Sequence, residues 1–125
     1  MSSEVKNNKE IQIITQLVRE TANGNIKWAS MAPPKALISA TEDEIYTYFE
    51  AKYKGKTFAI YERRYKHYYD MDEYSWSRKP VFSILNNEGH VILEFEQRSP
   101  VLSDLLHTVS HQVADLDSLL NDLLG

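Results

Sequence analysis

From Lys9 onward the apolar residues Ile11, Ile14, Leu17 and Val18 recur at helical spacing with Thr21 on the same face, and Asn23-Gly24 then offers a left-handed stop. This predicts a first amphipathic helix over roughly 8–22, preceded by polar, aperiodic residues 1–8 that should fray. The segment NIKWAS reads as a short extended piece with Ile26 and Trp28 turned toward the core. Pro33-Pro34 then interrupts regular structure.

Two templates compete beyond the prolines. Thr41 with Glu44 matches a capping box, which would open a helix ending at Gly55. The body of the segment, IYTYF, is instead β-branched and aromatic, which suits a pleated surface, so a strand over 44–53 is the better reading. Lys54-Gly55 turns it into a second strand starting at Lys56, with Gly55 taking a positive φ. If Tyr53 faces Lys56, cross-strand partners have numbers summing to 109. One face then carries Phe49 opposite Ile60 and Ala51 opposite Phe58, which is core. The other carries Tyr48 opposite Tyr61, Tyr46 opposite Arg63 and Glu50 opposite Ala59, an outer tyrosine and arginine surface open to solvent or to a partner.

The strand from Lys56 continues through Tyr68, turns at YDMDE and returns through YSWSRKPVF as a long two-stranded ribbon. Keeping Phe58 and Ile60 on the face of Phe82 and Ile84 demands an even sum of paired numbers. At 142, Tyr68 meets Tyr74, Lys66 meets Trp76 and Arg64 meets Arg78. Two facing arginines are destabilising unless solvated or bound to an anion. Further on, VFSIL and HVILEFE flank NNEG, with Gly89 in the left-handed position of the turn. Phe82, Ile84, Val91, Leu93 and Phe95 should point inward, leaving Ser83, His90, Glu94 and Glu96 outward.

Ser99-Pro100 is a good helix start, because proline at the first helical position loses no useful hydrogen bond. In the helix that follows, Leu102, Leu106, Val109, Val113, Leu116, Leu120 and Leu123 are spaced 4, 3, 4, 3, 4, 3, a heptad seam widened by Leu105, Leu119 and Leu124. A helix lying across its own sheet accounts for this stripe, and a homodimer or partner seam is the alternative. The fold expected is α+β: an antiparallel β-meander of four to five strands with the N- and C-terminal helices packed on one face.

Composition narrows the function classes. The 125 residues fit one domain, 1–125, and 42% hydrophobic with 26% charged content is that of a folded chain. With no cysteine, disulfides, thiolate metal sites and a cysteine nucleophile are excluded. The first fifteen residues lack the apolar core of a secretory signal and no apolar run approaches membrane-spanning length, which points to a cytoplasmic, non-membrane protein. The net charge of −4 conceals a division: Lys52 to Lys79 holds eight Lys and Arg against four acids, so the remainder sums to −8. Such separation can steer a charged partner.

Candidate chemistry is sparse. His107 and His111 stand four apart with Asp104 and Asp115 before and after them, a spacing that can share a metal. Their stripe lies nearly opposite the leucine seam, so solvated Asp to His pairing is the better account. Asp115, Asp117 and Asp122 crowd the negative end of the helix dipole with no Lys or Arg nearby. No nucleophile elbow or glycine-rich phosphate loop occurs, and Asp70, Asp72 and Glu73 lack the glycine and final glutamate of a calcium loop. No catalytic, cofactor-binding or metal-binding residue is therefore assigned, and an enzyme is not expected. The densest feature is YERRYKHYYDMDEYSWSRK, with five tyrosines and a tryptophan in nineteen positions. Tyr, Trp and Arg dominate protein interfaces, and they also grip single-stranded nucleic acid by stacking and phosphate contact. The partner-binding candidates are Tyr46, Tyr48, Tyr61, Arg63, Arg64, Lys66, Tyr68, Tyr74, Trp76 and Arg78. A protein partner is the first expectation and RNA or single-stranded DNA the second.

The order of a helix, TANGNIKW, YKGKTFAIYERRYKHYYDMDEYSW, a strand with NNEGH and then HQVADLDSLLNDLL resembles a group of small uncharacterised bacterial domains. The resemblance implies a bacterial cytosolic protein with α, β-meander, α order, and brings no activity or site with it.

Overall fold

The computed structural model describes residues 3–39, 43–96 and 100–125. Its elements are α1 (Ser3–Ala22), β1 (Ala29–Ser30), α2 (Lys35–Ser39), β2 (Glu44–Tyr53), β3 (Lys56–Tyr68), β4 (Tyr74–Leu85), β5 (Val91–Phe95) and α3 (Pro100–Leu124). The strands form one antiparallel meander in the order β1-β2-β3-β4-β5, with α1 and α3 packed against it. The segment 44–53 is a strand, as its β-branched and aromatic content demands, and Thr41 of the rejected capping box lies outside the described residues, as does Ser99. The helix expected from residue 8 instead begins at Ser3. Glu4, Lys6, Lys9 and Glu10 are good helix formers, so the backbone stays helical beyond the apolar stripe.

The helix-side core is built from alternate strand residues and two helical stripes. Phe49, Ala51, Phe58, Ile60, Phe82 and Phe95 meet Ile14 and Leu17 of α1 and Leu102, Leu105 and Val109 of α3. Phe82 sits at its centre, its ring centroid 5.6 Å from Phe58 and 5.5 Å from Phe95. Burial of a phenylalanine side chain stabilises by about 1.5–3 kcal/mol, so this row is a large part of what holds the helices down. Ile11 and Val91, expected inward, are exposed, and Glu10 takes the buried position of its turn in α1.

Gln112 joins the two helices to the connection between α1 and β1. Its carbonyl accepts from the Trp28 backbone amide at 2.8 Å, and its amide donates to the Ile26 and Thr21 carbonyls at 2.7 and 3.3 Å. Trp28 is thereby fixed in the core, where its indole N–H donates to the Thr21 hydroxyl at 2.9 Å.

Both hairpin turns expected from glycines are present. Lys54 and Gly55 have φ of 51° and 75°, the paired positive values of a tight two-residue turn. At Gly89, with φ of 82°, an added Cβ would stand 3.0 Å from Pro34, so the turn is held close to the proline segment.

Register separates expectation from outcome. β3 and β4 pair without a slip from Thr57↔Leu85 to Tyr68↔Tyr74, the sum of 142 throughout. β2 and β3 keep the sum of 109 only from Phe49↔Ile60 to Tyr53↔Lys56. A bulge between Tyr46 and Phe49 then changes the partner of Tyr46 from the expected Arg63 to Glu62. Thr47, with φ of 51°, is the residue that absorbs the shift. Because side chains alternate, Tyr46 moves to the helix side of the sheet and Ile45 takes the other side, opposite Arg63.

The face expected to be an open tyrosine surface is a second core. Tyr48 and Tyr61 are 3% and 0% exposed, packed with Leu37, Ala59, Val81 and Leu85. The proline segment and α2 cross this face and bring Leu37 onto it. Ser83, expected outward, is fully buried here and hydrogen-bonds the Tyr61 hydroxyl at 2.9 Å.

Two measurements check these constraints. A left-handed conformation costs a β-branched residue about 1–2 kcal/mol, and Thr47 is exposed, so Thr47→Gly should raise stability by about 0.5–1 kcal/mol in urea unfolding. Gln112→Ala should lower it by about 2 kcal/mol or more, since it leaves the Trp28 amide and the Ile26 carbonyl without a partner.

Candidate interaction surface

Beyond Ile60 and Phe82 the helix-side positions of β3 and β4 turn from apolar to charged and aromatic. They run Glu62, Arg64, Lys66 and Tyr68 on β3, opposite Pro80, Arg78, Trp76 and Tyr74 on β4. β2 begins at Glu44 opposite Arg64, and β5 ends at Phe95 opposite Phe82. Tyr65–Tyr68 and Tyr74–Ser77 are thus paired only with each other among the described residues, as a ribbon standing out from the sheet.

On this face cations and rings interleave. The Arg64 guanidinium lies 4.3 Å from the Trp76 ring centre, the Lys66 ammonium 4.6 Å from Tyr74 and 5.7 Å from Trp76, and the Arg78 guanidinium 5.3 Å from Tyr46. Tyr74 meets Trp76 edge-on at 6.0 Å and Tyr68 at 5.4 Å. The facing Arg64 and Arg78 are tolerated because each turns to a different ring, and Arg64 also donates to the Tyr46 hydroxyl at 3.1 Å and to Glu44 at 3.2 Å. Tyr46 donates to Glu44 at 2.6 Å, and this bond first, with Arg64 beside it, holds the Glu44 carboxyl below the usual carboxylate range. Lys66 and Arg78 have no carboxylate within ion-pair distance among the described residues. The rings remain accessible: Trp76, Tyr74 and Tyr68 are 39%, 41% and 57% exposed.

The candidates therefore divide. Tyr46, Arg64, Lys66, Tyr68, Tyr74, Trp76 and Arg78 share one face, and Tyr46 joins it only through the bulge. Tyr48 and Tyr61 are core on the opposite face, their rings stacked at 5.5 Å, and are withdrawn from any contact surface. Arg63 is on that face too and is already occupied: it pairs with Glu96, with Glu94 at 3.1 Å and, through Nε, with Asp43 at 3.9 Å. Lys79 completes the rim at 3.0 Å from Glu96 and lies over Tyr65 at 4.9 Å.

This charged rim was not singled out from the sequence. Its signal is the alternation in Glu94-Phe95-Glu96, which puts both carboxylates on the side away from the Phe95 core, facing Arg63. Burial pushes the Glu94 carboxyl above its ordinary range, and the neighbouring Glu96 adds to this while Arg63 opposes it. Burial also resists ionisation of Glu96, but hydrogen bonds from Glu94 and Lys79 with the charge of Arg63 leave it below that range. The cluster is a self-neutralising clamp between β3, β4 and β5.

His107 and His111 do not pair with Asp104 or Asp115. Their rings meet each other edge-on with centroids 4.4 Å apart. Rather than facing only bulk water, they border a groove of about 590 Å3 between the end of α1, the connection at Gly24 to Trp28, and α3 from His107 to Leu119. Among the described residues no three His, Cys, Asp or Glu side chains are grouped to hold a metal. Among them, too, no helix is long and apolar enough to cross a membrane.

No protein-family model, no curated protein and no solved structure matches the sequence.

The buried tyrosines make an alkaline prediction. Burial, reinforced for Tyr48 by its 2.8 Å hydrogen bond to Glu50, raises the phenol pKa of both Tyr48 and Tyr61. A raised folded pKa leaves stability intact below the unfolded value of about 10 and removes it progressively as pH rises above that. Ultraviolet phenolate titration should show two of the eight tyrosines ionising only as the fold is lost. Tyr48→Phe should remove one of these late ionisations.

Proposed function

We propose that the chain is a non-enzymatic interaction or accessory module of a bacterial cytosolic system, which binds a protein partner through the helix-side face of the ribbon, with the second half of α3 as a further contact. The observation that supports this reading is the interleaved row of Tyr46, Arg78, Arg64, Trp76, Lys66 and Tyr74, partly exposed, which begins at the edge of the sheet and continues onto a ribbon paired with no other strand among the described residues. Arg, Trp and Tyr are the residues that dominate binding energy at protein interfaces. Each cation–π contact contributes about 0.5–1 kcal/mol at an exposed site, enough to hold long side chains in place and lower the entropy lost on binding.

RNA or single-stranded DNA is the second reading, supported by Lys66 and Arg78 having no carboxylate partner among the described residues beside partly exposed rings. Two features weigh against it. One face of Trp76 and of Tyr74 is already taken by Arg64 and Lys66, so a base would compete with a cation for the ring. The tip of the same ribbon carries Asp70, Asp72 and Glu73, which oppose a polyanion following its length.

A photoactivatable residue at position 68, on the ribbon, should cross-link a discrete bacterial protein that one at position 12, on α1, does not capture. Arg78→Glu should abolish that capture, and Trp76→Ala should weaken binding of the captured protein by about tenfold or more, the scale of an interface hot spot. The alternative is decided by anisotropy with labelled oligonucleotides at low salt. Salt-dependent binding lost on replacing Arg64 and Arg78 would move the assignment to nucleic acid.

A further inference from the structure

The leucine stripe of α3 is occupied along only half its length. Leu102, Leu105 and Val109 are fully buried, and Leu106 and Val113 pack against the same core. From Leu116 onward the stripe continues at the same spacing through Leu119, Leu120 and Leu123, all exposed to solvent. It is the continuation of an established helix interface into open space. The groove beside it follows α3 from His107 to Leu119, lined by Trp28 and Lys27 on one side and by Asp115, Leu116 and Leu119 on the other, and so reaches the first turn of this free half.

Charge indicates what covers it. From Pro100 to Leu124 the helix has four aspartates and no Lys or Arg, and its last turn contains no basic residue. Asp115 and Asp122, seven residues apart, flank one side of the exposed stripe near the negative end of the helix dipole. Two copies of this helix would bring only like charges to a shared seam, which opposes self-association. An anionic membrane surface is opposed on the same ground.

We infer that the second half of α3, with its groove against Trp28, is a docking site for an amphipathic helix of another protein that carries Lys or Arg beside its apolar stripe. Leucines of the incoming helix fill the groove and cover Leu116, Leu119, Leu120 and Leu123, while its cations meet Asp115 and Asp122 and offset the helix dipole. The inference rests on the reading of the chain as an interaction module but not on the ribbon.

The probe is a labelled three-heptad peptide with leucine at the seam and lysine at the flanking positions, set against a twin with glutamate in place of lysine. The lysine peptide should bind the full chain, more weakly as salt is added, and the glutamate twin should not. Leu119→Asp with Leu120→Asp, both at exposed positions, should keep the helical signal in circular dichroism and weaken binding by at least about tenfold. Ile92→Asp, at the exposed apolar patch beside Leu93 and away from α3, should leave it unchanged. Equal binding to all variants, or equal binding of both peptides, overturns the site. So does a concentration-dependent dimer of the chain alone that the paired leucine replacements dissociate, because the occupant is then a second copy. If the lysine peptide fails to bind while cross-linking through position 68 persists, this occupant is wrong and the ribbon reading stands.

Discussion

The unbroken pairing of β3 with β4 is the constraint on which the rest of the structure depends. Twelve consecutive pairs share one register, from Thr57↔Leu85 to Tyr68↔Tyr74. Side-chain parity set in the core is therefore carried without a slip to the tip of the ribbon. Phe58, Ile60 and Phe82 are buried against α1 and α3, and the same parity places Arg64, Lys66, Trp76 and Tyr74 on the ribbon face above them. A slip of a single residue would turn the interleaved row to the opposite side and expose the core phenylalanines. The site and the core are two ends of one alternation.

Against that continuous ladder, the bulge at Thr47 is a local interruption with a specific effect. It lets β2 serve both faces: Tyr48 is buried beneath Leu37 on one side, and Tyr46 reaches Arg64 and Arg78 on the other. Without the extra residue Tyr46 would lie on the face of Tyr48, and Arg78 would lose its ring. The positive φ at a β-branched residue is a cost accepted at this position and offset by the contacts it permits on both faces.

The two faces of β3 use their charges differently. On the α2 side Arg63 and Lys79 are neutralised by Glu94 and Glu96, which ties β5 to the ladder and leaves little charge for a partner. On the helix side the cations lie over rings, and Lys66 and Arg78 keep their charge available. The acidic α3, free in its second half, faces the opposite electrostatic requirement. A chain with a net charge of −4 thus presents one cationic, aromatic surface and one anionic, leucine-lined surface.

Much of this was legible in the residues. The hairpin at Lys54-Gly55, the register of the long ribbon, the facing arginines and the helix start at Pro100 follow from turn chemistry and period-two parity, which are local properties. The burial of Tyr48, Tyr61 and Ser83 was not legible, because it depends on the proline segment and α2 folding back over the sheet, a contact between positions distant in sequence. The bulge was hidden for a related reason: Thr47 is an ordinary strand residue, and only packing on both faces of β2 makes the shift favourable. The leucine period of α3 showed in the sequence that the helix is amphipathic along its whole length. Tertiary structure alone decided how far the core reaches beneath it, since the sheet and α1 cover the stripe only as far as Val113 and leave the remainder to solvent.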